Sequence, residues 1–483
     1  MEELIKYLNE INNKRIINSI LNWEVDTISP SKSIDLYIDM ISKISSEINE
    51  MKTSDRYIDL LNKYINSDEF NKLDDHKKRY YLNLKDEYEE DKRIPKDFYK
   101  DFVKQRTTAK VKWALAKEKN DYSIFKPYLE KNIKMTKEYY NYKNPNYSSL
   151  YDVMLSDYEK GIKSEDVDRL FEELKSGIIP IIKELKPKKL NKLNKLDSET
   201  ENKIAKYILN YIGFDNERGT LGNYTHGYTS TISKNDVRIA YEAKDIIDLV
   251  TTIIHEGGHG IFEQRQANEF NELNICDNNM LALHESQSRF YENILGRDKN
   301  FWIPIYDDIK KMANLDLSLD EYMEYLNNAK PSPIRIYADE LTYCLHIIIR
   351  YEIERDIFNG KITNLDDLPE IWNKKYYDYL GITIKDDKEG ILQDTHWSDA
   401  SFGYFPDYLL GTILDGMLYE KIDNVDELLK TGKINEITKF LNENIHKYAG
   451  AYNIFEVAKR VCKEELNVEP IINYFKNKYL NNN

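Results

Sequence analysis

Glycine and proline, the residues that most readily interrupt a helix, are scarce in this chain. Its 483 residues include 18 glycines and 12 prolines, and charged side chains are interleaved with leucine, isoleucine and tyrosine. This pattern is typical of amphipathic helices packed around a core. Because proline cannot continue a helix, breaks are expected near Ser29-Pro30, Ile94-Pro95 and Asn144-Pro145. We therefore expect a mainly α-helical protein in which residues 1–175 form several long helices.

Net charge and cysteine content argue against several classes of binding partner and of cysteine-based site. The net charge is −15, which disfavours binding to nucleic acid or to an anionic membrane surface. No segment has the ~18 consecutive apolar residues of a membrane span, and the N-terminus lacks the apolar core of a signal peptide. Cys276, Cys344 and Cys462 form neither a disulfide framework nor a Cys-x-x-Cys metal site. We expect a cytoplasmic protein with no nucleic-acid or membrane partner.

Helical patterning lapses between residues 219 and 241. Two runs there alternate in polarity, with a plausible turn at residues 233–235 between them; the alternating positions are Tyr228, Ser230, Ile232, Val237, Ile239 and Tyr241. Alternation with a period of two is the signature of half-buried strands. The segment therefore predicts a β-hairpin, and with it a small antiparallel sheet.

A helix with metal-binding chemistry is expected to follow the hairpin. Asp245 is a good N-cap, and the helix should run to about Gln266. Residues 255–259 read His-Glu-Gly-Gly-His. Side chains four apart lie on one helical face, so the imidazoles of His255 and His259 should converge as zinc ligands. Glu256 lies between them, where the His-Glu-x-x-His motif places a general base.

A second helix, starting near Asn279, supplies a candidate third ligand. It carries Glu285 in the segment 284–289, His-Glu-Ser-Gln-Ser-Arg. Two imidazoles and one carboxylate leave one metal position open for water, the arrangement of a catalytic zinc site. Glu256 would take a proton from that water and pass it to a leaving amine. The alternative for Glu285 is a surface ion pair with Arg289, and His284 is an alternative outer partner for a metal ligand.

The paired glycines inside the motif need an explanation. Gly257 and Gly258 each cost a helix roughly 1 kcal/mol relative to alanine, so something is expected to approach the helix backbone closely. The hairpin at residues 224–241 is the candidate, as an edge strand that would bind an extended peptide by strand addition. The alternative is simple tolerance in packing.

Several further motifs resemble one family in the same order along the chain. Residues 334–339 read Ile-Arg-Ile-Tyr-Ala-Asp, residues 390–397 read Gly-Ile-Leu-Gln-Asp-Thr-His-Trp, and residues 402–406 read Phe-Gly-Tyr-Phe-Pro. Residues 21–24, Leu-Asn-Trp-Glu, add a match near the start. Together with the two histidine motifs, this set resembles the carboxypeptidase Taq family of metallocarboxypeptidases nearly from end to end.

The resemblance implies a zincin-type multi-helix fold with a deep substrate groove, a small sheet at its edge, and a homodimer. It assigns the metal ligands to His255, His259 and Glu285 and the base to Glu256. By the same resemblance, Arg335 binds the terminal carboxylate of the substrate, a role that suits a guanidinium fork. The alternative for Arg335 is an intrahelical pair with Asp339.

Other site residues also follow from the resemblance. His396 and Tyr404 are the candidate donors to the oxyanion or to the terminal carboxylate, and Trp397 is either a pocket wall or a core residue. Two family motifs are altered in the hairpin, at residues 226–228 and 236–240, where His226 and Arg238 are the candidate substrate contacts. We expect a single domain, with residues 1–215 as groove wall or lid and residues 216–483 as the zinc-bearing part.

The sequence thus predicts a zinc-dependent carboxypeptidase that releases single C-terminal residues from short peptides, with Co²⁺ able to replace Zn²⁺. One alternative is a peptidyl-dipeptidase or oligoendopeptidase of similar helical architecture. Another, from a different class, is a non-catalytic helical peptide-binding protein that retains a vestigial metal site.

Overall fold

Helices dominate the first half of the protein. The computed structural model describes residues 2–144, 147, 149–267 and 280–481. Helix breaks fall beside Pro30, Pro95 and the end of α7, as predicted. The ten helices before the sheet are α1 (Glu2–Thr27), α2 (Ile34–Lys52), α3 (Asp55–Ile65), α4 (Asp68–Asn71), α5 (Asp75–Asp91), α6 (Lys96–Lys119), α7 (Tyr122–Lys143), α8 (Leu150–Ser156), α9 (Ser164–Glu184) and α10 (Ser198–Ile212).

The predicted hairpin is present, but its sheet is mixed. Strands β2 (Tyr228–Ser233) and β3 (Asp236–Tyr241) pair antiparallel, while β1 (Gly219–Asn223) pairs parallel with β3 on its other side. The expectation of a purely antiparallel sheet is therefore wrong. The glycines of β1 remove the alternating pattern that identifies a strand. They also admit large neighbours, since a Cβ on Gly219 or Gly222 would lie within 2.7 Å of an aromatic ring.

Two helices after the sheet carry the predicted metal ligands. Helix α11 (Ile246–Gln264) begins at Asp245, whose carboxylate accepts hydrogen bonds from the backbone N–H groups of Ile247 and Asp248. Helix α12 (Leu281–Arg289) continues into a π-helical segment, Phe290–Leu295. Asn279, the predicted start of the second helix, lies outside the described residues.

The remaining helices follow α12 along the chain. They are α13 (Lys299–Trp302), α14 (Tyr306–Ala313), α15 (Leu319–Leu326), α16 (Glu340–Phe358), α17 (Leu368–Leu380), α18 (Phe405–Lys421), α19 (Val425–Lys430), α20 (Ile434–Asn444), α21 (Ile454–Val457) and α22 (Glu469–Lys476). Helix α18 crosses α12 closely at Gly411, where a Cβ would lie 2.8 Å from the backbone of Ala282 and of Ser286. A side chain would therefore push the two helices apart.

The glycine pair of α11 is packed by helices. A Cβ on Gly257 would meet Leu209 and Ile212 of α10, and one on Gly258 would lie 2.7 Å from the Cα of Ser288 in α12. The prediction that the hairpin approaches this pair is wrong. The loop of the hairpin instead packs against an earlier part of α11, since a Cβ on Gly227 would lie 2.6 Å from the side chain of Thr252.

Buried apolar side chains form two clusters. The larger draws on helices from α6 to the C-terminal segment and surrounds α11 and α12. The smaller lies among α1, α3, α4 and α5, with Ala449 from the second half. The two helices that carry the predicted metal ligands, α11 and α12, thus lie inside the larger core. The division of the chain at residue 215 stays a prediction.

Two further features bear on the predicted cellular location, namely membrane-spanning helices and cysteines. Within the ranges that the structure describes, no helix combines the length and apolar character that crossing a bilayer requires. Cys344 and Cys462 are free and buried, whereas Cys276 lies outside the described residues.

Candidate active site and metal centre

The three predicted ligands converge on one point. Ligand atoms of His255, His259 and Glu285 all lie within 4.8 Å of one another. Oε2 of Glu285 is 3.6 Å from Nε2 of His259 and 4.0 Å from Nε2 of His255. Among the described residues this is the group whose side chains could hold a metal ion. Two imidazoles and a carboxylate are the donor set of a catalytic divalent metal site, so the residues fit the predicted group.

An ion pair between Glu285 and Arg289, the alternative to metal ligation, is compatible with ligation. Nε of Arg289 donates to Oε1 of Glu285 at 2.7 Å, so the predicted pair exists, but it is buried rather than on the surface. Arg289 therefore holds one oxygen of the carboxylate and leaves the other directed at the imidazoles. A buried pair of this kind fixes the side chain in one orientation.

His255 has an outer partner that the sequence reasoning missed. Its Nδ1 lies 2.9 Å from Oε2 of Glu292, and Arg297 contacts the other oxygen of Glu292 at 3.4 Å. Burial alone would raise the pKa of Glu292, but the hydrogen bond with His255 and the nearby positive charges lower it to about 2. Glu292 follows Glu285 by seven residues, which in a regular α-helix would be two turns. That spacing is the signal that would have placed both carboxylates on one face.

His259 meets the imidazole of His284 instead of a carboxylate. The two Nδ1 atoms are 2.6 Å apart, and Nε2 of His284 lies 2.8 Å from Oε1 of Glu263. His284 therefore occupies the outer position that was the alternative interpretation of its motif.

The edge strand holds the candidate base. Oγ1 of Thr229, in β2, donates to Oε2 of Glu256 at 2.7 Å and to its backbone carbonyl at 3.0 Å. Glu256 is buried, and the loss of solvation raises the pKa of its carboxyl group. A carboxylate with a raised pKa accepts a proton more readily, as a general base requires. The hairpin thus reaches the site through Glu256.

Arg335 lies in a short 3₁₀ turn, Arg335–Tyr337, with its side chain buried. Nε and Nη2 donate to Oδ1 of Asp394 at 3.0 and 2.9 Å, and Nη1 donates to the hydroxyl of Tyr343 at 2.8 Å. The alternative pair with Asp339 is wrong. Because the turn precedes α16, the spacing of four does not stack the two side chains, and Asp339 instead caps that helix.

A second buried arginine holds the partner of Arg335. Nε of Arg350 donates to Oδ2 of Asp394 at 2.5 Å, and Arg350 is fully buried. Although burial raises the pKa of Asp394, the two guanidinium groups lower it far more, so the carboxylate stays ionised. Two cations thus share one anion, leaving a net positive charge beside the site.

His396 and Tyr404 lie in one aromatic layer. Their ring centroids are 5.3 Å apart, and Tyr404 is also 5.3 Å from Tyr408. Burial lowers the pKa of His396 to about 4 and raises that of Tyr404 to about 12. At neutral pH the imidazole is therefore uncharged and the phenol keeps its proton. Trp397 is a core residue, since it is buried and its Nε1 donates to Glu354.

Aromatic faces connect Arg335 to the metal cluster. The guanidinium carbon of Arg335 lies 5.7 Å from the ring centroid of Tyr343, and that of Arg289 lies 4.1 Å from the same ring. Arg289 in turn holds Glu285. Tyr343 was absent from the sequence predictions because it lies within a helix with no motif of its own. Contacts through Tyr343 and Arg289 thus connect the carboxylate-binding candidate to the predicted metal ligands.

The two hairpin candidates have different surroundings. His226 adjoins Gly227, where a Cβ would lie 3.2 Å from Oε1 of Glu256. His226 is exposed in the loop before β2. Arg238 forms a two-bond pair with Asp236, and its guanidinium carbon lies 5.7 Å from the ring of Trp23. Residues alternate between the faces of a strand, and Ile239 faces the core. Arg238 is therefore on the face that packs against α1, and its substrate role stays a prediction.

Comparison with known proteins agrees with these motifs. Residues 3–479 match the family described as carboxypeptidase Taq (M32) metallopeptidase. Carboxypeptidase 1 of Bacillus subtilis (strain 168) is 37% identical, covering 99% of this chain and 98% of its own. Thermostable carboxypeptidase 1 of Pyrococcus furiosus is 34% identical over 80% of each chain.

The structural comparison gives the same result. A solved structure of Pyrococcus furiosus carboxypeptidase superimposes with a TM-score of 0.92 at 28% identity, over 99% of this chain and 98% of that one. The fold is therefore shared along nearly the whole length. The chain belongs to the carboxypeptidase Taq (M32) family and is a metallocarboxypeptidase, a hydrolase that acts on peptide bonds.

Proposed function

We propose that this enzyme is a zinc carboxypeptidase that releases single C-terminal residues from short peptides. The observation that carries the proposal is the buried guanidinium of Arg335, joined to the metal cluster through Tyr343 and Arg289. A planar fork in a pocket of low dielectric recognises a carboxylate strongly. An enzyme with such a group beside its reaction centre selects the free end of a peptide.

The donor set of His255, His259 and Glu285 suits zinc, and cobalt fits the same ligands. A divalent metal held there supplies a positive charge that lowers the pKa of a water molecule and polarises the scissile carbonyl. The outer contacts of Glu292, His284 and Arg289 keep all three ligand side chains oriented.

Glu256 is proposed as the general base. Thr229 holds its Oε2, which leaves Oε1 to accept a proton from the attacking water. The water oxygen bonds to the carbonyl carbon, and the carbon–nitrogen bond breaks as Glu256 passes the proton to the leaving amine. The products are a free amino acid and a peptide one residue shorter.

His396 and Tyr404 are proposed as donors to the developing oxyanion or to the terminal carboxylate. Tyr404 retains its hydroxyl proton at neutral pH because burial raises its pKa to about 12. Nδ1 of His396 is buried without a hydrogen-bond partner among the described residues. A buried polar atom left without a partner is expected to gain one from a ligand.

The hairpin is proposed to bind the rest of the peptide. Strand β2 is an edge of the sheet and adjoins Glu256 through Thr229, so an extended substrate can add to it as a further strand. We place His226 and Arg238 as contacts for residues before the scissile bond. We further propose a cytoplasmic homodimer and a groove walled by residues 1–215, following the family resemblance.

A peptide and its C-terminally amidated form test the proposal. The wild type should cleave the free acid at least about 100-fold faster, because losing one partner of a buried charge pair costs roughly 3 kcal/mol. The rate is measured as kcat/KM, with product masses to count the residues released. Release of dipeptides would favour the peptidyl-dipeptidase alternative, and equal cleavage of both substrates would contradict the role of Arg335.

Arginine 335 is then tested directly. Arg335→Ala should abolish the preference for the free acid and leave the metal content unchanged. Arg335→Lys keeps the charge but removes the fork, and is expected to restore the preference only in part. Loss of metal from Arg335→Ala would show that the residue acts on the metal cluster instead.

A further inference from the structure

The two histidine ligands have outer partners of different kinds. Nδ1 of His255 meets the carboxylate of Glu292 directly. Nδ1 of His259 meets another imidazole, His284, and the carboxylate of Glu263 lies beyond it. The usual outer partner of a ligand histidine is a carboxylate, a backbone carbonyl or water. The interposed imidazole therefore needs its own explanation.

Both ends of this second connection belong to one helix. His259 and Glu263 are one turn apart in α11, and His284 enters between them from α12. Glu263 is buried, with 5% of its surface exposed, and Nε2 of Gln266 donates to its Oε2 at 3.1 Å. Burial and this second hydrogen bond fix the carboxylate in place. The three side chains form a line with both contacts shorter than 3 Å.

The hydrogen bonds that join His259, His284 and Glu263 all donate in the same direction, toward Glu263. Nε2 of His259 faces Glu285, so Nδ1 is its outer nitrogen. A histidine that binds a metal through Nε2 carries its proton on Nδ1. At 2.6 Å the facing Nδ1 of His284 must then accept that proton as a hydrogen bond. His284 consequently carries its own proton on Nε2, where it donates to Glu263.

We propose that His284 is a positioning residue that relays the negative charge of Glu263 to the ligand His259. The relay fixes the tautomer and ring orientation of His259 and makes its Nε2 a better donor to the metal. The inference rests on the proposed function only in requiring that the site binds a metal. His284 itself makes no contact with the reacting atoms.

Packing keeps the interposed ring in place. The ring of His284 lies 4.5 Å from that of His259 and 5.1 Å, edge-on, from that of Phe262. His446 packs edge-on against the same Phe262 at 5.5 Å, but its Nε2 meets Gln287, 2.8 Å away, instead of a ligand. His446 is therefore a matched control: a buried histidine in the same layer, outside the relay.

Metal affinity without substrate tests the relay. Zn²⁺ dissociation constants are measured by competition with a chromophoric chelator, and the visible spectrum of the Co²⁺ form reports ligand geometry. His284→Leu should weaken binding about 10–100-fold and shift the spectrum. His284→Gln should recover part of the loss, since its amide can accept from His259 and donate to Glu263. His446→Leu should match the wild type.

A double-mutant cycle tests the path to Glu263. Glu263→Gln should weaken binding in the wild type and add nothing in His284→Leu, because the connection is already broken. Equal effects in both backgrounds, wild-type affinity in His284→Leu, or the same loss in His446→Leu would each overturn the relay. If His284→Leu does not fold, His284→Phe, which keeps an aromatic ring but removes both hydrogen bonds, takes its place in the cycle, and Glu263→Gln should again add nothing.

This experiment is independent of the cleavage assay. A wild type that binds metal but ignores C-terminal residues would refute the proposed function and leave the relay standing. Conversely, carboxypeptidase activity in the wild type together with unchanged metal affinity in His284→Leu would support the proposed function and refute the relay.

Discussion

Glu256 combines two properties that a general base needs, burial and a fixed orientation. Thr229 holds one oxygen, and burial raises the pKa of the carboxyl group. Glu256→Gln keeps the shape and the hydrogen bond but cannot accept a proton. We expect wild-type metal content and a kcat lower by about 10³-fold. Turnover and metal content of the same preparation provide the check.

Thr229→Val is the matched control at the residue scale. It removes the hydrogen bond and keeps the carboxylate, so its kcat should fall far less, by about tenfold. Turnover of Glu256→Gln close to the wild type would remove the residue from the proton path. An equal loss in both variants would show that orientation, rather than proton transfer, limits the reaction.

Residues of the site were predictable where the pattern is local. His255, Glu256 and His259 lie within five positions of one helix, so helical geometry alone brings them together. The partners of Arg335 are different. Asp394 is 59 residues away in sequence and Tyr343 lies inside a helix. Only tertiary packing brings such pairs together, which is why the local alternative with Asp339 was wrong.

At the scale of elements, two adjacent glycines set the spacing of three helices. A Cβ on Gly257 would meet the methyl ends of Leu209 and Ile212, which are flexible. A Cβ on Gly258 would meet the backbone of Gln287 and Ser288, which cannot move without shifting α12 and with it Glu285. The same substitution should therefore be far more destabilising at Gly258 than at Gly257.

Gly257→Ala should change the free energy of unfolding by less than about 1 kcal/mol, since the gain in helix propensity offsets modest repacking. Gly258→Ala should cost about 3 kcal/mol or more and weaken metal binding. Thermal or urea unfolding of the metal-free and metal-bound proteins measures both. A milder effect at Gly258 than at Gly257 would contradict the packing argument.

The sequence predicts individual helices and strands better than it predicts which of them pack against each other. The cap at Asp245 and the alternation of β2 and β3 are local signals, and both predictions are confirmed. Glycine in a helix predicts that another element approaches closely but does not identify that element, so the sequence alone does not distinguish the hairpin from α10 and α12. Strand β1 has no alternation, and its parallel pairing could not be foreseen.

At the scale of the whole molecule, Glu159 joins three distant segments. Its fully buried carboxylate accepts hydrogen bonds from the backbone N–H of Ala282, at the start of α12, and of Ile454, at the start of α21. A carboxylate at two helix N-termini stabilises both ends. Burial nevertheless dominates and raises the pKa of Glu159 from 4.5 to about 8.

This raised pKa predicts how stability depends on pH. Between pH 4.5 and about 8 the folded protein holds a proton on Glu159 that the unfolded chain releases. The contribution to stability is therefore complete below pH 4.5 and declines as the pH rises to about 8, by at most about 1.4 kcal/mol per pH unit. Glu159→Gln should remove this decline. Exposed Glu199→Gln should retain it, and urea unfolding between pH 5 and 8 compares the slopes. An unchanged slope in Glu159→Gln would mean that the two backbone donors keep the carboxylate ionised.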